Sequence, residues 1–316
     1  TKAIKQGKVK RGDRILSINE LSNEFFLSRD TVQKAYEILQ KDKIIHSVRG
    51  KGFYINRTDI TLCYRVLLLF NKLSSYKKMI YDGFVQTMDS KGLVDLKIHH
   101  SSAKLLDTIV SANLGEYDYY VVMPHFYEHH EQVADTLSKI PADKLMLLDK
   151  AMTQHFEQVP AVYQDFENDI ILALEAGLDQ LSKYDTLVYA DTPSTLKPAE
   201  IARGFRRFCQ QNHFAYQVIG DISSTYDVRP GQVYIVIDDM DLLHLIKSIQ
   251  QKGYTAGKEV GIICYNETPL KEILLNGIST ISTDHYQMGK TAAEMILEQR
   301  TGRIKNKFTL ISRASL

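Results

Sequence analysis

The residues best suited to chemistry fall in two regions of the chain. Near the N-terminus Ser28, Arg29, Thr31, Gln33 and Lys34 stand close together, and Arg49 and Lys51 flank Gly50. Guanidinium, ammonium, amide and hydroxyl groups at that density suit base edges and phosphate oxygens. Farther along, His125 and His129 stand four apart beside Glu128 and His130, and Asp238 precedes Asp239. Two imidazoles at that spacing can share a helical face, but no Glu lies between them in zincin order. Adjacent carboxylates at a strand end point in different directions, so Asp239 is expected to face away from Asp238 and to cap the helix starting near Asp241. No Gly-x-Gly-x-x-Gly follows a strand, and no Walker loop or Gly-x-Ser-x-Gly elbow is present. Catalysis has little support, and no cofactor is expected.

Charge separates the two regions. Residues 1–58 hold 13 Lys or Arg against 6 Asp or Glu, whereas the whole chain of 316 residues has a formal net charge of only +1. A basic segment on an acidic body is the electrostatic footprint of a nucleic-acid-binding module, although a solvated basic helix gives the same balance. No apolar run approaches the ~20 residues that cross a bilayer. With no signal peptide visible, a cytoplasmic protein is expected. Cys63, Cys209 and Cys264 are flanked by apolar residues and read as buried thiols. The chain starts at Thr1 rather than Met, which suggests that residues precede it.

The elements that position the basic groups are legible. Ser17-Ile18-Asn19-Glu20 is a capping box that opens a short helix ending near Phe25. Ser28 caps a longer helix with Asp30 in its first turn and Val32, Ala35, Tyr36 and Leu39 on one face. Arg29, Gln33 and Lys34 point away from that face, which gives a helix-turn-helix. Ile44–Val48 and Phe53–Ile55 then form a β-hairpin whose turn, Arg49-Gly50-Lys51-Gly52, carries two cations.

Gly12 to Ile18, Leu27 to Val32 and Gly50-Lys51-Gly52-Phe53, in that order, resemble the winged-helix domain of GntR-type transcription regulators over residues 1–58. Leu16-Ser17-Ile18-Asn19 replaces that family's Pro-Ser-x-Arg, so Asn19 takes the place of a phosphate-binding arginine. The family's first helix is expected to be truncated to Ala3-Ile4 and the following turn. The resemblance places Arg29 on a guanine, Gln33 on an adenine edge, and Ser17, Ser28, Thr31, Lys34, Arg49 and Lys51 at or near the phosphate backbone, with Gly50 shaping the wing. A solvated helix face is the plainer reading of each.

From Cys63 onward apolar β-prone runs alternate with amphipathic helices. Strands are predicted at Arg65–Phe70, Val94–Ile98, Tyr119–Met123, Leu145–Leu148, Thr186–Tyr189, Tyr216–Ile219, Tyr234–Ile237 and Val260–Cys264. Helices are predicted near 76–90, 104–113, 129–138, 168–183, 198–212, 241–252 and 285–300. Alternation of this kind predicts an α/β body of two lobes with parallel sheets, occupying residues 63–316.

Ile201-Ala202-Arg203-Gly204-Phe205, Val236-Ile237-Asp238-Asp239, Val260 to Glu267, and Ile278 to Ile281 followed by Met288-Gly289 resemble the effector domain of LacI-type repressors, which is related to type I periplasmic sugar-binding proteins. A GntR-type head on that body is similar to the arabinose-responsive, AraR-like repressors. The resemblance implies a sugar between the lobes, touched by Asn71, Lys72, Ser75, Pro124, His125, Asp149, Asp238 and Asn266, with Tyr76 or Phe126 stacked on its ring. Ile201 stands where the family has an arginine, so Lys197, or else Arg203, is expected to substitute. It implies a homodimer on a near-palindromic double-stranded DNA operator, and a pentose or deoxyhexose effector such as L-arabinose or L-fucose. A cytoplasmic sugar enzyme with an accessory basic domain, or a regulator whose body is a ligand-free dimer scaffold, are the alternatives.

Overall fold

The computed structural model describes residues 9–41, 43–57, 63–152, 156–193 and 195–316. The chain divides into two compact units, Thr1–Cys63 and Tyr64–Leu316. The expected remnant of a first helix at Ala3-Ile4, and residues 58–62 of the expected junction, lie outside the described residues.

The first unit contains β1 (Arg14–Ile15), α1 (Ile18–Glu24), α2 (Arg29–Lys41), β2 (Ile45–Val48) and β3 (Gly52–Ile55), with an antiparallel sheet in the order β1-β3-β2. Both halves of the capping box form: Glu20 N–H donates to Ser17 Oγ and Ser17 N–H to Glu20 Oε2. Val32 and Tyr36 bury one face of α2 against Ile44, Ile45 and Ile55. Tyr36 anchors the unit twice, donating its hydroxyl to Leu16 O and meeting Phe53 edge-on at 4.7 Å. Ala35, expected on that face, is exposed. One helical turn of 3.6 residues leaves a residue adjacent to the Tyr36 row at the border of so narrow a stripe. The wing turn needs its glycines, since Gly50 and Gly52 have φ of +75° and +103°.

The second unit is two α/β lobes. In the first, β4 (Tyr64–Phe70), β5 (Gly92–Ile98), β6 (Tyr119–Val122), β7 (Leu145–Lys150), β8 (Ala161–Gln164) and β14 (Arg303–Lys305) form a parallel sheet ordered β14-β8-β7-β6-β4-β5. In the second, β9 (Thr186–Ala190), β10 (Ala215–Ile219), β11 (Gln232–Val236), β12 (Val260–Tyr265), β13 (Ser279–Thr283) and β15 (Phe308–Ile311) run β10-β9-β11-β12-β13-β15, parallel except for β15. Val66 to Phe70 are wholly buried, as a strand covered on both faces requires.

Helices α3 (Ser75–Met88), α4 (Ala103–Asn113), α5 (His130–Ser138), α6 (Phe166–Glu175), α7 (Leu178–Leu181), α8 (Ala199–Gln211), α9 (Asp239–Gln251), α10 (Pro269–Ile273) and α11 (His285–Leu297) cover the sheets. The helix predicted over 168–183 is two helices, α6 and α7, separated by Ala176 and Gly177. The chain crosses between lobes at Asp165, Asp284 and Asn306. Asn306 binds the crossings together, its Nδ2 donating to Thr283 Oγ1 at 2.7 Å and Asp284 O at 2.8 Å and its N–H to Tyr163 O. After the second crossing α11 packs back on α3 of the first lobe, where a Cβ at Gly289 would overlap the carbonyl of Ile80.

Candidate functional site

On the head, Asn19, Ser28, Arg29, Thr31, Gln33, Lys34, Arg49, Gly50 and Lys51 are all exposed, and Ser17 is half-buried. Ser17 Oγ accepts the Glu20 amide, and Ser28 Oγ accepts the Thr31 amide at 3.1 Å and pairs with Thr31 Oγ1 at 2.7 Å. The caps occupy lone pairs, so the Ser17 hydrogen and one of the Ser28–Thr31 hydrogens remain to donate to a phosphate. Lys34 pairs with Asp30 at 2.9 Å and Gln33 with Glu37 at 3.0 Å. Exposed pairs of this kind contribute about 0.3–0.5 kcal/mol and release their cations readily.

Arg29→Ala is expected to relax sequence preference at one guanine per half-site by about 1–3 kcal/mol. Lys51→Ala should weaken all DNA alike and flatten the salt dependence. Binding-site selection and salt titration separate the two; unchanged preference in Arg29→Ala would remove it from base reading.

In the body, a cleft of about 260 Å³ opens between the lobes at the C-terminal ends of both sheets. Ligands of open α/β sheets bind at such ends, and the volume lies just below the roughly 300–1,000 Å³ of pockets for drug-sized molecules. Asn71, Lys72, Ser75, Tyr76, His125 and Asp149 line it from the first lobe, and Lys197, Asp238 and Asn266 from the second. Asp149 and Asn266 have φ of 70° and 67°, so each wall carries a non-glycine residue in the left-handed region where its strand ends. Such conformations concentrate at ligand clamps.

The floor of the first-lobe wall is a buried polar network. Asp149 Oδ2 lies 3.4 Å from Lys77 Nζ and accepts from His125 Nε2 at 2.8 Å, while Oδ1 accepts from Gln164 Nε2 at 2.5 Å. Lys77 Nζ also donates to Asn71 Oδ1 at 2.5 Å. Burial alone would raise the Asp149 pKa; the Lys77 ammonium, His125 and Gln164 overcome it and hold the carboxyl well below the usual range. Burial and then Lys77 push His125 down, so His125 is neutral and its Nε2–H donates to the carboxylate. Asp149 therefore holds the wall together with both its oxygens engaged.

On the opposite wall Asp238 is the N-cap of α9, accepting from Met240 N and from Thr195 Oγ1, both at 2.8 Å. The expectation that Asp239 caps a helix starting near Asp241 is thus corrected: Asp238 caps it, and Asp239 also lines the cleft. Lys197 Nζ is held by Thr192 O at 2.7 Å and Asp191 at 3.0 Å. Arg203 instead lies outside the cleft, half-exposed and paired with Glu167 and Glu200, whereas Ile201 lines it.

Other expectations are also displaced. Phe126 is buried in the first-lobe core, stacked on His99 at 4.6 Å, and Tyr127 faces the cleft in its place. Pro124 lines a separate depression beside Phe126 and Lys150. His129 is exposed near Glu128, away from the buried His125–Asp149 pair. Among the described residues no three His, Cys, Asp or Glu side chains converge as a metal site. Cys209 and Cys264 are buried, but Cys63 is exposed because its strand begins one residue later.

Sequence reasoning missed Lys77, Gln164, Thr195, Tyr265 and Lys271. One signal was available: Lys77 shares a helical spacing with Ile80, Phe84 and Met88, and all four are buried. A lysine on an apolar stripe has to find a buried partner.

Residues 1–55 match the gntR family of bacterial regulatory proteins, and residues 184–315 match a periplasmic binding protein-like domain. The chain therefore joins a GntR-type helix-turn-helix head to a periplasmic-binding-protein-like body. The HTH-type transcriptional repressor YtrA of Bacillus subtilis is 39% identical over 56 residues, 18% of this chain and 43% of that protein, so the match spans less than half of its length. The lactose operon repressor of Rhizobium radiobacter is 24% identical over 81 residues, 26% of this chain and 71% of that protein. Among solved structures, the trehalose repressor from Escherichia coli superposes with a TM-score of 0.65 at 15% identity, covering 78% of this chain and 99% of the other. A lac repressor dimer bound to operator and the anti-inducer ONPF gives 0.65 at 12% identity, covering 80% and 94%. Both likenesses establish the fold.

Proposed function

We propose that the protein is a DNA-binding transcription repressor whose operator affinity is set by a small neutral sugar held between the lobes of its body. The observation that carries this reading is one chain combining a winged helix-turn-helix bearing exposed cations with a cleft walled by polar side chains from both lobes. Carboxamides, carboxylates and ammonium groups around a small cleft suit a molecule with many hydroxyls. A pentose or deoxyhexose is the proposed effector, a homodimer the proposed assembly, and a near-palindromic operator the proposed target, because two-fold symmetry in the protein is mirrored in its DNA. Such a regulator works in the cytoplasm; among the described residues no helix is long and apolar enough to cross a membrane.

A thermal-shift screen against monosaccharides and their phosphates tests the reading. Ligand at 100 times its Kd adds about 2.7 kcal/mol of stability, enough to move the melting temperature by several degrees. A panel without any shift would contradict it.

Asp238→Asn keeps a capping side chain at α9 but removes its charge. Sugar affinity is expected to fall about tenfold or more, since a charge-assisted hydrogen bond contributes roughly 1.5–3 kcal/mol. Operator affinity without sugar should stay at the wild-type value. Asp239 lines the cleft and cannot serve as the control; Arg203→Ala can. Unaltered sugar binding by calorimetry in Asp238→Asn would remove Asp238 from the site.

A further inference from the structure

Among the described residues, Gln164 Oε1 and the Tyr265 hydroxyl, buried on opposite walls of the cleft, have no hydrogen-bond partner. Gln164 is 6% exposed and its Oε1 accepts nothing; Tyr265 is 2% exposed and its hydroxyl is likewise unpaired. Both residues line the cleft, Gln164 at the end of β8 and Tyr265 at the end of β12. The orientation of the Gln164 amide is not free. Its Nε2 donates to the ionised Asp149, which can only accept, so the carbonyl oxygen is the atom left over. The Tyr265 ring is fixed by packing against Phe308 at 5.4 Å within the second-lobe core. Leaving such groups dry costs free energy, a penalty that a bound molecule relieves.

We infer that Gln164 Oε1 and the Tyr265 hydroxyl are the effector's specificity contacts, taking from a polyhydroxylated ligand a hydroxyl donor on the first lobe and a hydroxyl or ring oxygen on the second. This rests on the sugar-binding reading above and sharpens it. A carboxylate or keto oxygen presents no proton to Gln164, so the group lying there is a proton donor, which on a neutral sugar is a free hydroxyl. Because one contact comes from each lobe, both are satisfied together only when the same ligand touches both walls.

Tyr265→Phe separates this role from a structural one, because removing an unpaired hydroxyl does not weaken the free protein. Tyr189 provides the control: its hydroxyl is also buried and, among the described residues, unpaired, in the same second-lobe core as Tyr265, but it does not line the cleft. Wild type, Tyr265→Phe and Tyr189→Phe, each as the full chain, are melted alone and titrated with L-arabinose, L-fucose, D-ribose, D-xylose, D-galactose and D-glucose. Without sugar, both variants are expected to melt at or above the wild-type temperature. With the sugar that binds wild type, Tyr265→Phe should lose about tenfold or more in affinity and Tyr189→Phe should lose none. At least one singly deoxygenated form of that sugar should bind about 100-fold or more weakly, since a site built for a hydroxyl rejects the analogue lacking it.

A Tyr265→Phe protein that melts several degrees lower without sugar would overturn the proposal on its own, by showing that the hydroxyl already has a partner. Normal sugar affinity in Tyr265→Phe would overturn the specificity role while leaving the sugar reading intact. Failure of every sugar to bind wild type would overturn the reading, and the specificity role with it.

Discussion

Replacing Asp149 by asparagine is expected to destabilise the body by about 3–5 kcal/mol, because it leaves a buried ammonium without its counter-ion. The Lys77 side chain is 3% exposed, and among the described residues its Nζ meets, besides Asp149, Asn71 Oδ1 and Met123 Sδ. Asparagine keeps the size of the side chain and tolerates the positive φ at this position, so what changes is the charge and one of the two acceptor oxygens. The double variant Lys77→Met, Asp149→Asn should recover most of the loss, since buried ion pairs replaced on both sides are often close to neutral. Urea unfolding of wild type, single and double variants measures the difference. Equal losses in the single and double variants would show that shape, not charge pairing, holds this wall.

Acidification is expected to weaken the fold between about pH 6.5 and 4 chiefly through buried histidines, His99, His285 and His125, the last held neutral by burial and Lys77. Burial, opposed by the bond to Met123 O, lowers His99 to about 4, and burial likewise lowers His285 to about 4. His99 Nε2 lies 3.1 Å from Met123 O and its Nδ1 accepts the Ser101 amide, which fixes a neutral tautomer with no lone pair left for a second proton. Among the described residues His285 has no partner for either ring nitrogen, and its ring packs against Tyr76 at 5.0 Å. The unfolded chain takes up these protons below about 6.5 while the folded chain refuses them until about 4. Stability from this source is complete above pH 6.5 and is lost as pH falls through that window, by about 1.4 kcal/mol per unit for each histidine. Asp149, held far below the ordinary carboxylate range, stays ionised in the folded chain and adds its own slope below about pH 5, where the unfolded carboxylate takes up a proton. His285→Phe should retain neutral-pH stability and unfold with a shallower pH dependence. An unchanged slope in that variant would place the acid sensitivity elsewhere.

What the sequence reveals follows the strength of the local signal. Val66 to Phe70 has no competing reading, and Arg49-Gly50-Lys51-Gly52 announces a turn because only glycine takes those φ values cheaply. β13 to β15 escaped for opposite reasons. Ser279–Thr283 is polar though wholly buried, and Arg303-Ile304-Lys305 is a charged edge strand whose pairing with β8 comes from 140 residues away in the chain. β15 joins antiparallel after the last crossing, which alternation of strand and helix does not foretell. The same limit governs the cleft. Residues at strand ends, such as Asn71, Asp149, Asp238 and Asn266, can be placed from strand prediction with the resemblance, and all lie on its walls. Which of two neighbours turns inward is a matter of backbone geometry after the strand has ended, and here Tyr127, not the expected Phe126, faces the cleft. Lys77 and Gln164 owe their positions to Asp149, a contact between distant segments that no local pattern encodes.

The central claim is that occupancy of the cleft and DNA binding by the head are coupled. Its direct test is the affinity of the full chain for an operator obtained by binding-site selection, measured by fluorescence anisotropy at fixed salt with and without the sugar found in the thermal screen. Coupling of the ordinary size for such regulators, about 1–3 kcal/mol, predicts a change in operator Kd of about 5- to 150-fold, lost in Asp238→Asn. A sugar that binds the cleft yet leaves operator affinity the same at saturation would contradict the account.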